Sequence, residues 1–511
     1  MHYIDLLLNK ITMYRLVLYF LIILIGLSTI LGFLGILPYQ GLDILLTTLV
    51  AVVSCYIGNY IFSKIFRAVT NVESVFVTGL IIALIFPVSF PLNVGPLIAV
   101  SVIAMASKYL LTIEKRHLFN PAAIAVLVVG YFAPDYSAIW WIGSNALIVP
   151  VFVGGFLVMR KIRREDMVLT FVITFLIVSG IGSIVNSGSL NSVLTVWKQS
   201  LLSSALFFFA FIMLTEPLTS PATKKFQRLY AVIVAVFYTT PLLRLGGFAF
   251  TPEMALVLGN IFSFIVSPKY RLVLTLQQKT LLSSDTYLYD FGQIKNFKFI
   301  PGQYLEWTLP HRSPDSRGNR RYFSIASGKR ENLLLAVKFY EPSSSYKKAL
   351  QNLEVGDKLI ATGLAGDFVL PKNTKIPLVF IAGGIGITPF RSMIEDIIEN
   401  QRQVDISVIF ANKGIEDIVF KDDLERAQGL GVKTYYVLTD KSKAPSTWAG
   451  LTGHIDPDVI KKLIPDFQKR VFYISGPQLM VQNFEKMLRD LGVKNGQLKS
   501  DFFPGYSETG A

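Results

Sequence analysis

The sequence predicts a polytopic α-helical membrane domain of about ten spans, fused to an antiparallel β-barrel and then to a parallel α/β domain. Three observations carry that expectation. The 511 residues are 52% hydrophobic and only 16% charged, with a mean hydropathy of +0.49, whereas soluble domains average about 25% charged residues. The deficit is local: residues 1–268 hold 16 Lys/Arg and 9 Asp/Glu, while 269–511 hold 33 and 26. From Tyr270 the text changes to short β-branched and aromatic runs, and from about Pro377 strands alternate with helices. Domains are therefore expected at 1–268, 269–372 and 373–511.

The helical half comes first. Apolar runs at 14–36, 42–63, 74–90, 94–113, 121–133, 138–159, 167–186, 200–215, 229–243 and 253–267 are the candidate spans; shorter ones suit half-helices buried in protein. No small-residue cleavage site follows the first run, which reads as a retained span. Loops after even-numbered spans carry Lys64, Arg67, Lys115, Arg116, Arg160, Lys161, Arg163, Arg164, Lys224, Lys225, Arg228, Lys269 and Arg271. Those after odd-numbered spans carry only Lys198 and Arg244. Positive charge marks the cytoplasmic side, so both termini are expected inside a cell (inner or plasma) membrane, and the net charge of +14 reads as a match to an anionic leaflet, not to nucleic acid. Trp140 and Trp141 are expected in an outer aromatic belt. The single cysteine, Cys55, lies in an apolar run and reads as core, which excludes disulfides and any iron–sulfur cluster held by this chain alone. No metal site is expected.

Ionisable groups are costly in a bilayer. Asp43, Glu73, Asp135 and Glu253 fall at loop edges, where solvation is expected; Glu216 is the interior candidate, to bind an ion or a flavin edge. Two segments, "GLIIALIFPVSFPLN" (79–93) and "FFFAFIMLTEPLTSPAT" (207–223), are apolar runs each broken by two prolines, as in folds built from repeats. "KRHLFNPAA" (115–123) and "TEPLTSPAT" (215–223) resemble the B subunit of the sodium-pumping NADH:quinone reductase, whose membrane fold the D subunit of the Rnf complex shares. That resemblance implies a flavin-carrying electron conduit of two inverted repeats. Such subunits attach flavin mononucleotide to a threonine in a Ser-Gly-Ala-Thr stretch. The corresponding loop here, "NSGSLNSVLTVW" (186–197), lacks it and offers only Thr195, so non-covalent FMN or riboflavin is expected in this half.

The second half opens with strand-like runs such as "YRLVLTLQQKT", "QYLEWTLP" and "LLLAVKFY". It continues with "PLVFIAGG", "DISVIFANK" and "VFYISG", each followed by a helical pattern. "AGGIGITPF" (382–390) follows a strand and opens a helix, where glycines admit a pyrophosphate to the helix N-terminus. Together with "PGQY" (301–304), "RYFS" (321–324), "SSSYKKAL" (343–350), "GLAGDF" (363–368), "SGPQ" (475–478) and "DFFPGY" (501–506), this resembles the ferredoxin–NADP reductase family over 269–511.

That resemblance implies FAD on the barrel and NAD(P)H on the sheet, with these roles. Arg321 pairs the FAD pyrophosphate, Phe323 packs on the flavin, Ser324 reaches its N5 edge, and Tyr322 between them counts among the cofactor-binding residues. Ser344 and Ser345, with Lys347 or Lys348, hold the diphosphate. Gly383, Gly384 and Gly386 face the pyridine nucleotide and Thr388 its ring. Gly476 and Pro477 occupy a turn in which Ser475 stands where the family has cysteine. Phe503, with Phe502 or Tyr506, covers the flavin. Ser324, Thr388 and Ser475 are thus the candidate catalytic residues. Lys413, after Asn412, lacks an arginine's fork for a 2′-phosphate, so NADH is favoured.

The leading function is oxidation of NAD(P)H with electrons passed from FAD through the membrane half to a quinone, an electron-transfer partner or an acceptor outside. A flavin or cation transporter with a fused redox-sensing reductase is the alternative. A ferric-reductase or NADPH-oxidase arrangement needs paired haem-ligating histidines, and only His117 among His2, His117, His311 and His454 lies near the spans.

Overall fold

The computed structural model describes residues 8, 11–66, 72–88, 94–113, 116–243, 250–267, 270–312, 314–315 and 318–503. Arg67, Lys115, Arg244, Lys269 and Tyr506 lie outside them. The chain divides into two compact units, Met1–Ser267 and Pro268–Ala511.

The first unit is helical: Met13–Phe33, Gly41–Ile65, Val72–Ile85, Val94–Leu110, Pro121–Phe132, Ile148–Ile162, Glu165–Ser187, Leu190–Leu202, Lys224–Leu243 and Pro252–Val266. Their starts follow from local chemistry. Thr12, Asn120 and Thr251 accept backbone N–H groups at helix N-termini, and Pro121 and Pro252 stand at first positions where no N–H is needed. Among the described residues, Met13–Phe33, Gly41–Ile65, Asn145–Ile162 and Glu165–Ser187 are long and apolar enough to cross a membrane. Leu190–Leu202 with Leu206–Met213, bent by 61°, would make one more. The sequence led to an expectation of about ten; the helices Val72–Ile85, Val94–Leu110, Pro121–Phe132 and Pro252–Val266 are apolar but shorter. Glu165–Ser187 exposes Leu169, Ile173, Ile177, Ile181 and Ile184, an apolar stripe at helical spacing.

Three sequence expectations change here. Trp140 and Trp141 are buried, not in a belt. Trp140 Nε1 donates to Glu253 at 3.0 Å and Trp141 Nε1 to Ala83 O at 2.9 Å. Glu253 is therefore a buried acceptor, not a solvated loop edge. The expected span at 138–159 begins instead as short 3₁₀ turns, Trp141–Gly143 and Asn145–Leu147, with the helix starting at Ile148. The backbone of this irregular piece bonds inward, the N–H groups of Ile139 and Trp140 both donating to Ile85 O. Cys55 is buried, as read from its context.

The second unit carries two antiparallel sheets and one parallel sheet. Arg271–Thr275, Lys358–Ala365, Tyr304–Thr308 and Arg320–Ser324 pair in that order; Gln278–Ser283, Thr286–Asp290 and Leu334–Lys338 form the other antiparallel sheet. Their core holds Trp307, Tyr289 and Tyr346, all fully buried. Gly302 of "PGQY" has φ +96°, and a Cβ there would lie 2.0 Å from Phe368 O and 2.5 Å from Met393 Cε. Only glycine allows that contact between the antiparallel sheet and the parallel one.

The parallel sheet runs Leu451–Thr452, Val432–Leu438, Ile406–Asn412, Leu378–Gly383, Val471–Pro477, Leu498–Phe503. Successive strands step outward in one direction from Leu378–Gly383, and Val471–Pro477 then joins its other side. The order reverses between these two strands, which makes a crevice at their carboxyl ends.

A charged cluster joins the sheets. Glu395, 3% exposed, accepts from Arg426 at 2.6 Å. Burial, with the neighbouring Glu331 and Asp423 carboxylates, pushes Glu395 up to about 7 against the pull of Arg391 and Arg426. Its proton is held more tightly folded than unfolded. Its stabilising contribution is therefore full below the unfolded value of about 4.3 and is lost as pH rises through 7. Replacing Glu395 with Gln should abolish the penalty that ionising this buried carboxyl imposes at pH 8. Melting followed by flavin fluorescence should fall less between pH 5.5 and 8 in the variant than in the wild type; an equal fall would refute the assignment.

Candidate active site

Strand pairing presents Arg321 and Phe323 on one face of Arg320–Ser324, opposite Arg320 and Tyr322. Arg321 stacks over the buried Tyr346 ring at 5.0 Å, donates to Gly318 O (3.2 Å) and Arg320 O (2.6 Å), and lies 3.5 Å from Asp315. Phe323 meets the same Tyr346 ring at 6.2 Å. On the other face Tyr322 is 56% exposed and donates to Glu306 at 2.6 Å. Ser324 is buried.

Tyr346 belongs to the short helix Ser345–Gln351, capped by Ser344, whose Oγ accepts from Lys347 N. The Ser345 N–H donates to Asp315 (3.1 Å), the Asp315 N–H donates back to Ser345 Oγ (2.8 Å), and His311 Nε2 lies 3.0 Å from that oxygen. The structure thus brings together Arg321, Ser344 and Ser345, all expected for the diphosphate. It adds Asp315, His311 and Tyr346, which the sequence reading did not single out. Asp315 engages two of the anion-binding groups itself. Lys347 is engaged elsewhere, donating to Lys338 O at 2.6 Å and lying over the Tyr340 ring.

At the crevice of the parallel sheet, Gly383–Ile387 turns into the helix Thr388–Glu399, with Thr388 Oγ1 donating to Ile385 O at 3.1 Å. The three glycines differ. Gly384 has φ +52° and nothing within 4 Å of a Cβ position, so it is open to a ligand. A Cβ on Gly383 would strike Met480 Sδ at 2.3 Å and Pro477 Cδ at 3.1 Å, and one on Gly386 would strike Ser475 O at 2.4 Å. Those two are small so that the glycine loop and the Ser475–Gly476–Pro477 turn can touch. Ile385 packs against the small cluster of Ala326, Leu334 and Ala336, which joins the glycine loop to the antiparallel strands. Phe503 ends the strand Leu498–Phe503; the side chains of Phe502 and Phe503 lie outside the described residues.

Whether these residues suit a dinucleotide can be judged from their polar atoms. Ser475 Oγ is fully buried and has no hydrogen-bond partner among the described residues; the same holds for both amide atoms of Asn412, 4% exposed. Both stand at carboxyl ends of central strands, where orphaned polar groups suit a bound polar ligand. Lys413 beside Asn412 is exposed.

In the helical unit, the two motif segments meet. Glu216 accepts from Asn120 Nδ2 and Thr219 Oγ1, each at 2.9 Å, and Asn260 ties them further, accepting from Asn120 N (2.9 Å) and donating to Thr219 O (3.3 Å). Thr195 lies not in a loop but on the helix Leu190–Leu202, exposed, its hydroxyl donating to Asn191 O.

Fold and site together define a class: a reductase with antiparallel sheets beside a parallel nucleotide-binding sheet. Residues 380–486 match the oxidoreductase NAD-binding domain family. NADH-cytochrome b5 reductase 1 of Emericella nidulans is 30% identical over 230 residues, covering 42% of this chain and 73% of that protein. Its counterpart in Aspergillus oryzae is 30% identical over 230 residues, covering 42% and 77%. The cytochrome b5 reductase domain of Ulva prolifera nitrate reductase is 22% identical with a TM-score of 0.40, covering 46% of this chain and 98% of that one; the assignment rests on the sequence relatives. In its C-terminal half the chain belongs to the NADH-cytochrome b5 reductase family, and it is an NAD(P)H-dependent, FAD-containing oxidoreductase.

Proposed function

We propose that the chain is a multi-pass cell-membrane enzyme that oxidises NADH on the cytoplasmic side, where both termini lie. It delivers electrons through its helical unit to a quinone, an electron-transfer protein or an extracytoplasmic acceptor. The observation that carries the reading is the crevice at the strand-order reversal, where Gly384, Thr388 and Ser475 stand and Ile385 packs onto the cluster of Ala326, Leu334 and Ala336. The relatives are named as reductases of cytochrome b5, which supports a one-electron acceptor here.

Arg321 and the Ser345 N–H hold the FAD diphosphate, with Ser344 fixing the helix start. Phe323 packs on the ring system from the face that carries Arg321, and Ser324 holds its edge. Gly384 admits the nucleotide, Thr388 and Ser475 orient its ring, Gly383, Gly386, Gly476 and Pro477 shape the turn, and Phe503 screens the flavin from water. Bound FAD supplies acceptance of a hydride and release of electrons one at a time. In this reading 269–372 is the FAD domain and 373–511 the nucleotide domain. The helical unit keeps the inverted-repeat architecture of the sodium-pumping reductase's B subunit, with short proline-broken helices as half-spans and FMN or riboflavin held non-covalently.

Flavin counting tests this. Purified protein should carry two flavins per chain, both released by acid precipitation, and NADH should reduce a soluble quinone analogue. One flavin per chain with no quinone reduction would remove the conduit; a yellow acid pellet would overturn non-covalent binding.

A further inference from the structure

The helix Thr388–Glu399 begins on the glycine loop and lies along the loop that leaves the strand Arg320–Ser324. It grips that loop at successive points. Arg391 Nη1 donates to Ala326 O at 2.7 Å, and its fork closes on Glu331, with Nη1–Oε2 at 3.1 Å and Nη2–Oε1 at 3.0 Å. Ser392 Oγ donates to Ser327 O at 2.6 Å, and the Glu399 carboxylate accepts from the N–H groups of Lys329 and Arg330 at 3.1 and 2.9 Å. Arg391 differs from the other two in being a buried ion. It is 6% exposed, its Nε donates to Asp423 at 2.6 Å, and its guanidinium lies over the Phe420 ring at 5.0 Å. One rigid group therefore registers three separate pieces: the end of the flavin strand, the far side of its loop, and the helix Lys421–Arg426 of the nucleotide domain.

We propose that Arg391 is a positioning residue for hydride transfer, setting the gap between the flavin edge and the nicotinamide ring. This rests on the placement of FAD on the antiparallel sheets and NAD(P)H on the glycine loop. In the step concerned, the nicotinamide C4–H bond breaks and its hydrogen bonds to the flavin with both electrons, so NAD(P)H is oxidised and FAD reduced with no further reactant. Each reactant rides on a different domain, and interfaces between domains of one chain tolerate relative motion by default. A planar fork fixes angle as well as distance, which a lysine's single point charge cannot do. Arg391 itself stands three residues past Thr388, so the guanidinium ties the ring-binding end of the helix to the segment beginning two residues after Ser324.

The test uses the full chain in detergent, loaded with FAD. Arg391→Lys keeps the charge and loses the fork. Anaerobic bleaching of the flavin by saturating NADH should slow by about tenfold or more, since an ångström of misplacement costs up to about 10²-fold. The KM for NADH and the FAD content should stay within about twofold of wild type, and NADH deuterated at the transferred position should show a larger isotope effect as hydride transfer becomes limiting. A wild-type bleaching rate combined with a lower melting temperature would make Arg391 merely structural and overturn the proposal. Should Arg391→Lys not retain FAD, Glu331→Gln serves instead: its side chain is 28% exposed and keeps one acceptor. It should show a smaller loss of the same kind, and an unchanged rate would again overturn the proposal. Wild-type protein that NADH and NADPH both fail to bleach would overturn the cofactor placement, and this proposal with it.

Discussion

Replacing Arg321 with alanine is expected to leave the purified protein nearly free of FAD. The side chain is held ready by the Gly318 and Arg320 carbonyls and by the face of Tyr346. A charge-assisted pair to a diphosphate contributes roughly 1.5–3 kcal/mol, and its loss here corresponds to a rise in FAD Kd of about 10–100-fold. Arg321→Lys should fall between, because a lysine cannot offer two parallel donors. Fluorescence titration of the apoprotein with FAD would measure both. Undiminished FAD affinity in Arg321→Ala would detach the residue from the site. Since the Asp315 carboxylate engages Arg321 and the Ser345 N–H, the incoming diphosphate has to displace it. Asp315→Asn should accordingly bind FAD no more weakly than wild type.

The second large effect is expected at Gly386. A methyl group there would sit 2.4 Å from Ser475 O, 2.6 Å from Ser475 C and 2.7 Å from Gly476 Cα, all backbone atoms of the opposing turn. No rotamer relieves that clash, so the glycine loop and the Ser475 turn must separate, at about 1–3 kcal/mol. Gly386→Ala should reduce flavin bleaching by NADH about 10²-fold while FAD remains bound, because the proposed diphosphate site at Arg321 and Ser345 is a separate one. Gly384→Ala is the contrast. With open space around it, it meets only the strain of a left-handed backbone, about 1–2 kcal/mol. Equal losses in the two variants would show that the contact with Ser475 is not what matters.

Much of the second unit was legible because its punctuation is chemical. Gly302, Gly384 and the Thr388–Pro389 helix start each mark a backbone geometry that few residues adopt, so the order of strands and helices could be read along the chain. What escaped was everything made by long-range approach. Asp315 and His311 sit in a loop without periodicity, and nothing local announces that they meet Ser345, 30 and 34 residues on. Nothing local announces that Arg391, on a helix, meets Glu331, in a loop 60 residues earlier. Gly383 and Gly386 were expected to face the nucleotide, and the sequence could not show that their missing side chains also make room for the neighbouring turn. In the helical unit, apolar runs located the helices but not their ends. Composition cannot distinguish a span from a buried irregular segment whose N–H groups bond inward, as at Ile139 and Trp140, nor foresee that Trp140 reaches Glu253 across 113 residues.

The pairing of Leu378–Gly383 with Val471–Pro477 has a consequence for biosynthesis. These parallel strands are neighbours in space but about ninety residues apart in the chain. During translation the glycine loop leaves the ribosome several seconds before its partner turn exists, at roughly 5–20 residues per second. Such non-local parallel pairing forms slowly. The antiparallel strands are all synthesised by Ala365, whereas the crevice between Leu378–Gly383 and Val471–Pro477 waits for roughly a hundred further residues.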